Sequence, residues 1–174
     1  EIIEDAKGKE KTIARYRGNY YETVVDERDL IRFKRFGLLL TVVIIALHVG
    51  AGFIANRGMI RFYVSLPYVI TFLPLYFLAA GMLRLPAEKR KFRRDEVHFS
   101  FDRVRTASIF LLILVGVSII GELVFLIGFA TENLPLEYAF LGIEILAMVA
   151  SYGLFRMQKP IRIEESITEN ESIP

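Results

Sequence analysis

The sequence contains no cysteine and no tryptophan, and only two of its 174 residues are histidine. Without cysteine the chain can form no disulfide, no thiolate nucleophile and no cysteine-ligated metal centre. It also lacks a glycine-rich phosphate loop, a zinc-protease helix motif and a nucleophilic serine elbow. We therefore expect no enzyme activity, no cofactor and no resident metal.

Charged residues are almost absent from four long apolar blocks. Hydrophobic residues make up 53% of the chain and the mean hydropathy is +0.41, above the roughly 45–50% apolar content of soluble domains. A run of about 20 apolar residues spans the hydrocarbon core as a helix, whereas barrel strands alternate in polarity. The sequence predicts an all-α integral membrane protein with four transmembrane helices, at about 36–54, 62–83, 106–130 and 138–155.

The connections between the blocks alternate between short and long. Residues 55–61 and 131–137 form tight turns, which pair the spans into two hairpins, whereas the connection 84–105 is long and basic. All but two of the 22 Lys and Arg residues lie in the first 35 residues, in this loop or after Phe155. Because positive charge favours the cytoplasmic side, we expect both termini in the cytoplasm, across a plasma (inner) membrane.

The segments outside the membrane are short. Residues 1–35 form a cytoplasmic N-terminal segment, in which Asp26 can cap an amphipathic helix that leads into the first span. Residues 36–155 form the four-span domain, and residues 156–174 form an acidic cytoplasmic tail. From residue 163 onward the tail has four Glu and no basic residue, which predicts no regular structure there.

Three ionisable side chains interrupt the blocks: His48, Glu122 and Glu144. At 1.5 Å per residue, all three lie about 9–12 Å below the outer edge of the membrane. Each shares a helix face with small or hydroxyl-bearing residues, which favours contacts between helices. Because adjacent buried carboxylates retain a proton, this layer predicts a proton or cation site. Hydrogen bonds that merely hold the helices together are the alternative, and three ligands without a local motif do not predict a metal site.

The second span contains two prolines on one face, Pro67 and Pro74. Each removes a backbone donor and frees the carbonyl four residues earlier, at Tyr63 and Ile70. The pattern predicts a hinge or an ion-coordinating backbone, and a kink tolerated by packing is the alternative.

Aromatic and charged residues near the outer turns have simpler interpretations. Tyr63 and Tyr68 are predicted to lie in the interfacial aromatic belt and not to act as ligands. Arg61 is expected to pair with Glu132 or Glu137 at the outer surface, or to reach lipid headgroups.

The basic loop interleaves cationic and aromatic residues. This composition predicts docking of anionic lipid headgroups or of a cytoplasmic partner, and ordinary positive-inside anchoring is the alternative. Nucleic acid is not expected, because the loop is held at a membrane and carries four acidic residues. The candidate docking residues are Lys89, Arg90, Lys91, Arg93 and Arg94.

Two functions remain open at this stage. Four short spans leave little room for a closed solute path, so we expect a homo-oligomer or a larger membrane complex. The first hypothesis is a non-catalytic subunit or adaptor in a membrane assembly. The alternative is an oligomeric transporter or channel that carries protons or a small cationic solute on His48, Glu122 and Glu144. An enzyme that acts on lipid has only the charged loop in its favour.

Overall fold

The computed structural model describes residues 2–4, 10–12, 20–86, 91–129 and 134–166. Four long helices dominate this part of the chain, and a five-residue π-helical turn at His98–Asp102 joins a short helix to the third of them. A 3-10 turn at Gly58–Ile60 precedes the second helix. The helices are α1 (Glu27–Ala51), α2 (Phe62–Arg84), the short α3 (Arg94–Val97), α4 (Arg103–Gly128) and α5 (Leu134–Gln158).

Within the described residues, three helical units are long and apolar enough to cross a membrane: α2, the continuous unit Arg94–Gly128 and α5. Their outward faces expose large apolar side chains such as Leu73 and Ile120. Such a surface fits lipid contact and not water. The prediction of a helical bundle with membrane-crossing helices is confirmed to this extent.

The first helix combines two predicted elements. The lead-in helix and the first apolar block form one uninterrupted helix, α1, which begins directly after Asp26 as the sequence predicts. Its Asp, Glu, Lys and Arg residues all lie before residue 36. Residues 36–51 contain one ionisable side chain, His48. The helix ends at Ala51, three residues before the predicted end of the block.

Glycines allow the closest packing in the bundle. The most extensive helix contact joins α2 to α4, and α5 packs against both α1 and α4. A Cβ atom on Gly121 would lie only 2.7 Å from the Tyr63 carbonyl oxygen, and one on Gly81 would lie 3.3 Å from the Ser100 carbonyl oxygen. Small residues at these positions let two membrane helices approach at the level of the backbone.

A small antiparallel sheet covers one end of the bundle. Its central strand is β3 (Tyr20–Thr23), which pairs with β4 (Lys91–Arg93) on one side and with β5 (Ile163–Ser166) on the other. A separate hairpin of β1 (Ile2–Glu4) and β2 (Glu10–Thr12) precedes it. The sheet joins segments from before α1, between α2 and α4, and after α5. We call this end of the bundle the sheet end and the opposite end the turn end.

The strand β5 corrects one expectation. The charge pattern predicts no regular structure beyond residue 163, but residues 163–166 form a strand. Ile161 and Ile163 pack against the core of the bundle, and the backbone pairs with β3. These apolar anchors outweigh the charge of Glu164 and Glu165.

We expect Gly121→Ala to destabilise the protein, because the added methyl group would meet the rigid Tyr63 carbonyl oxygen at 2.7 Å. The loss should be about 1–3 kcal/mol of unfolding free energy, as for other overpacked cores. Thermal unfolding in detergent would measure it.

Gly116→Ala on the same helix is the matched control. Its new methyl group would make only an ordinary contact with Met148 at 3.7 Å, so stability should hold or rise by up to about 1 kcal/mol from helix propensity. Equal behaviour of the two variants would contradict the close approach of α2 and α4.

Candidate functional site

Polar side chains recur every seven residues along one face of α5. They are Glu137, Glu144, Ser151 and Gln158, of which the first three are fully buried and the last is partly buried. Seven residues make two helical turns, so these side chains lie on one face about 10 Å apart. A line of polar groups therefore runs through the interior of the bundle from the turn end to the sheet end.

The second position of this line forms a hydrogen bond with α1. His48 Nδ1 lies 3.0 Å from Glu144 Oε1, and both side chains are buried. On the other side of the ring, His48 Nε2 lies 3.1 Å from the Tyr68 carbonyl oxygen. The imidazole therefore joins α1 to α5 and to α2.

Tyr68 completes this contact from α2. Its hydroxyl donates to the His48 carbonyl oxygen at 2.5 Å, and its ring stacks on the imidazole with the centroids 4.2 Å apart. Phe72 packs against the edge of the same imidazole, 4.9 Å between centroids. The prediction that Tyr68 lies in the interfacial belt is wrong, because the side chain is only 4% exposed.

The hydrogen bonds define where protons can reside. A carbonyl oxygen only accepts, so His48 Nε2 must carry a hydrogen to bond Tyr68. The bond between His48 Nδ1 and Glu144 Oε1 then holds one further proton, either on the imidazole or on the carboxyl group. In the described part of the chain, Glu144 Oε2 has no hydrogen-bond partner. The pair can therefore store a proton and pass it on without breaking its other contacts.

A second polar cluster lies at the turn end, where the Glu122 carboxyl group is beside the side chains of Glu137 and Asn56. Glu122 and Glu137 are fully buried. The Arg57 backbone N–H donates to Glu137 Oε1 at 2.9 Å, and the Met59 backbone N–H donates to Asn56 Oδ1 at 3.2 Å. We call Glu122, Glu137 and Asn56 the acid-pair cluster.

The remaining polar atoms of the acid-pair cluster make no well-aligned hydrogen bond within the described residues, although the Glu122 carboxyl group is close enough to the Asn56 and Glu137 side chains to interact with both. These atoms are both Glu122 carboxyl oxygens, Glu137 Oε2 and Asn56 Nδ2. No lysine or arginine side chain in this part of the chain lies within ion-pair distance of either carboxyl group. Two adjacent buried carboxylates repel each other, and each is costly without a counter-charge. The cluster is therefore suited to hold a proton or a small cation.

Because Gly58 has no side chain, the 3-10 turn can pack directly against this cluster. A Cβ atom at that position would lie 2.2 Å from Glu122 Oε2 and 2.8 Å from Asn56 Oδ1. A larger residue would push the turn away from the carboxyl group. The glycine thus leaves the polar atoms of α4 and of the α1–α2 connection close together.

The structure divides the predicted His48, Glu122 and Glu144 layer into two places. His48 and Glu144 are in direct contact, whereas Glu122 belongs to the acid-pair cluster. Glu137 is buried, so the expected surface pair with Arg61 does not form; Arg61 instead stacks over Phe129 at 4.4 Å. Glu132, the other expected partner of Arg61, lies outside the described residues.

Sequence reasoning missed Asn56, and it assigned Glu137 and Tyr68 to the surface, where they are not found. The seven-residue spacing of polar groups from Glu137 onward carries the signal for Glu137. Asn56 and Tyr68 give no comparable signal, because their role depends on which helices become neighbours.

The two prolines do not interrupt α2. Pro67 and Pro74 are buried within one continuous helix, and the Pro67 carbonyl oxygen accepts a hydrogen bond from the Thr71 hydroxyl at 2.7 Å. The Tyr63 carbonyl that Pro67 frees is the one that faces Gly121. A hinge at these positions stays a prediction.

The predicted docking residues are divided as well. Lys91 and Arg93 belong to strand β4, where Lys91 Nζ lies 3.6 Å from Glu22 Oε1, and Arg94 begins α3. Lys89 and Arg90 lie outside the described residues. Part of the basic loop therefore builds the sheet.

No group of three or more His, Asp or Glu side chains within the described residues has the arrangement of a metal site. Comparisons with protein-family models, with curated proteins and with solved structures gave no match to this chain. The function must therefore be inferred from the geometry of the buried polar groups.

We expect Glu144→Ala to lower the unfolding free energy by about 2 kcal/mol, because it leaves the buried His48 Nδ1 without a partner. Glu144→Gln should retain most of the stability, since its amide can donate to a neutral imidazole. Thermal unfolding in detergent measures both variants. Ile145→Ala, on the lipid-facing side of the same helix, controls for truncation. An Ala variant as stable as the Gln variant would show that the bond does not hold α1 to α5.

Proposed function

We propose that this chain is a four-span membrane protein that moves protons, or a small monovalent cation, through its helical bundle as part of a homo-oligomer or a larger complex. The observation that supports this function is the acid-pair cluster, in which both Glu122 carboxyl oxygens and Glu137 Oε2 are buried without a well-aligned hydrogen bond within the described residues. If these side chains served only to hold the helices together, we would expect the bundle to provide well-aligned hydrogen-bond donors for their carboxyl oxygens.

We further propose that α1 is the first span and that both termini are cytoplasmic. Among the described residues, most of the cationic side chains lie near the sheet end, which favours that side as cytoplasmic by the positive-inside rule. In this orientation the acid-pair cluster is near the outer surface, and the His48–Glu144 pair lies about two helical turns deeper.

The polar face of α5 supplies further polar side chains along which a proton or cation would move. Beyond Glu144 it continues through Ser151 to Gln158, whose amide donates to the Ser108 hydroxyl at 2.7 Å. Gln158 also lines a cavity of about 760 Å³ at the sheet end. Steps of about 10 Å exceed a hydrogen bond, so transfer requires water that enters the bundle or a movement of the helices. A hinge at Pro67 and Pro74 would permit such a movement.

A non-catalytic subunit or adaptor is the second candidate. It is favoured by the sheet, which ties three distant segments into one surface at the end of the bundle. A surface of this kind can dock a partner without any transport.

Flux through the purified full-length chain in liposomes tests the first proposal. An imposed potassium diffusion potential drives the ions, a pH-sensitive dye inside the vesicles reports protons, and labelled sodium reports cation uptake. Glu122→Gln and Glu137→Gln should each lower the flux about a hundredfold, because they remove the group that takes up the ion while keeping its shape. Glu27→Gln, the same change at an exposed position of α1, should leave it unchanged.

Two outcomes would contradict transport. One is a correctly folded protein that passes neither protons nor sodium, which would favour the subunit. The other is a flux that both glutamine variants retain, which would make the acid-pair cluster a structural feature only.

A further inference from the structure

A lateral groove between α2 and α4 lies apart from the acid-pair cluster. It has a volume of about 580 Å³. Its floor is formed by the buried Pro74 and Ala107, and its walls by exposed apolar side chains that include Leu73, Phe77 and Phe110. Because these helices cross the hydrocarbon core, the groove faces lipid and not water.

One end of this groove is polar and basic. The π-helical turn before α4 places His98 and Asp102 at the mouth, directly followed by Arg103. The Arg103 guanidinium lies over the Phe77 ring at 5.6 Å and over the Phe99 ring at 5.1 Å. These contacts hold its charge where the apolar groove begins.

A second guanidinium reinforces the mouth. The Arg84 guanidinium, at the end of α2, lies 5.9 Å from the centroid of the same Phe99 ring. Arg103 and Asp102 line the mouth itself, and Arg84 adds a second cationic group beside it. The two guanidinium groups outnumber the single carboxylate, and this excess of positive charge suits an anionic headgroup.

The length of the groove matches one leaflet of a bilayer. On α4 it extends from Arg103 to Leu114, which is about 16 Å of helix at 1.5 Å per residue. Half of a hydrocarbon core of roughly 30 Å is about 15 Å. A chain that enters at the mouth would thus end near the middle of the membrane.

We propose that this groove binds one anionic glycerophospholipid. Its phosphate contacts Arg103 and Arg84 at the mouth, and one acyl chain lies along the groove over Pro74 and Ala107. Guanidinium groups suit phosphate because they offer several donors in a fixed plane. The inference does not depend on the proposed transport function.

Native mass spectrometry of the full-length chain in detergent tests the proposal. The protein is offered phosphatidylglycerol and phosphatidylcholine of equal chain length, and the bound lipid is counted. We expect one phosphatidylglycerol to be retained in preference to phosphatidylcholine. Arg103→Gln should weaken its retention about tenfold, in line with the loss of a charge-assisted hydrogen bond.

Arg32→Gln is the matched control, because it removes the same charge from an exposed position of α1 outside the groove. It should retain the lipid as the unaltered chain does. Thr106→Trp fills the groove from an exposed position in its lining and should abolish retention. This variant keeps the test decisive if Arg103→Gln does not fold, as judged by circular dichroism.

Competition with glycerophosphate separates the headgroup from the acyl chain. The free headgroup should displace the lipid poorly, because the groove contributes most of the apolar contact. Equal retention of both lipids, an unchanged Arg103→Gln variant or full retention by Thr106→Trp would each overturn the proposal. Full displacement of the lipid by glycerophosphate would show that the mouth binds phosphate but that no acyl chain occupies the groove, which would also overturn the proposal.

Discussion

The hydrogen bond between His48 Nδ1 and Glu144 Oε1 is the contact on which the bundle depends. It joins α1 to α5, and the two bonds between His48 and Tyr68 add α2. Such groups are costly in a membrane unless they satisfy one another, so the three helices can adopt only the arrangement in which they meet. The glycine contact of α4 with the Tyr63 backbone then places the fourth helix.

The acid-pair cluster has the opposite character. Its carboxyl groups are as deeply buried as the His48–Glu144 pair, but neither Glu122 carboxyl oxygen makes a well-aligned hydrogen bond within the described residues. A fold tolerates such a deficit where the missing partner is a ligand. Under the proposed function that ligand is a proton or a small cation. The contrast between the His48–Glu144 pair, which is joined by a hydrogen bond, and the Glu122 carboxyl group, which makes no well-aligned one, is the basis of the proposed transport function.

The two ends of the molecule have separate roles in this interpretation. The turn end contains the acid-pair cluster, and the sheet end contains the strands, the basic residues and the mouth of the lateral groove. The π-helical turn at His98–Asp102 joins α3 to α4 in one continuous helical unit. Arg103, the first residue of α4, follows this turn and lines the mouth of the lateral groove. Such turns often occur where a helix bears a function.

The sequence by itself determined the helical membrane architecture, the start of α1 and the burial-prone positions of His48, Glu122 and Glu144. These follow from local composition and helical periodicity, which act within one segment. Only the tertiary structure decided that Glu144 bonds His48, that Glu122 instead adjoins Glu137 and Asn56, and that Ile163 draws the acidic tail into a strand. These contacts join residues that are far apart in the chain, and each depends on which helix faces meet.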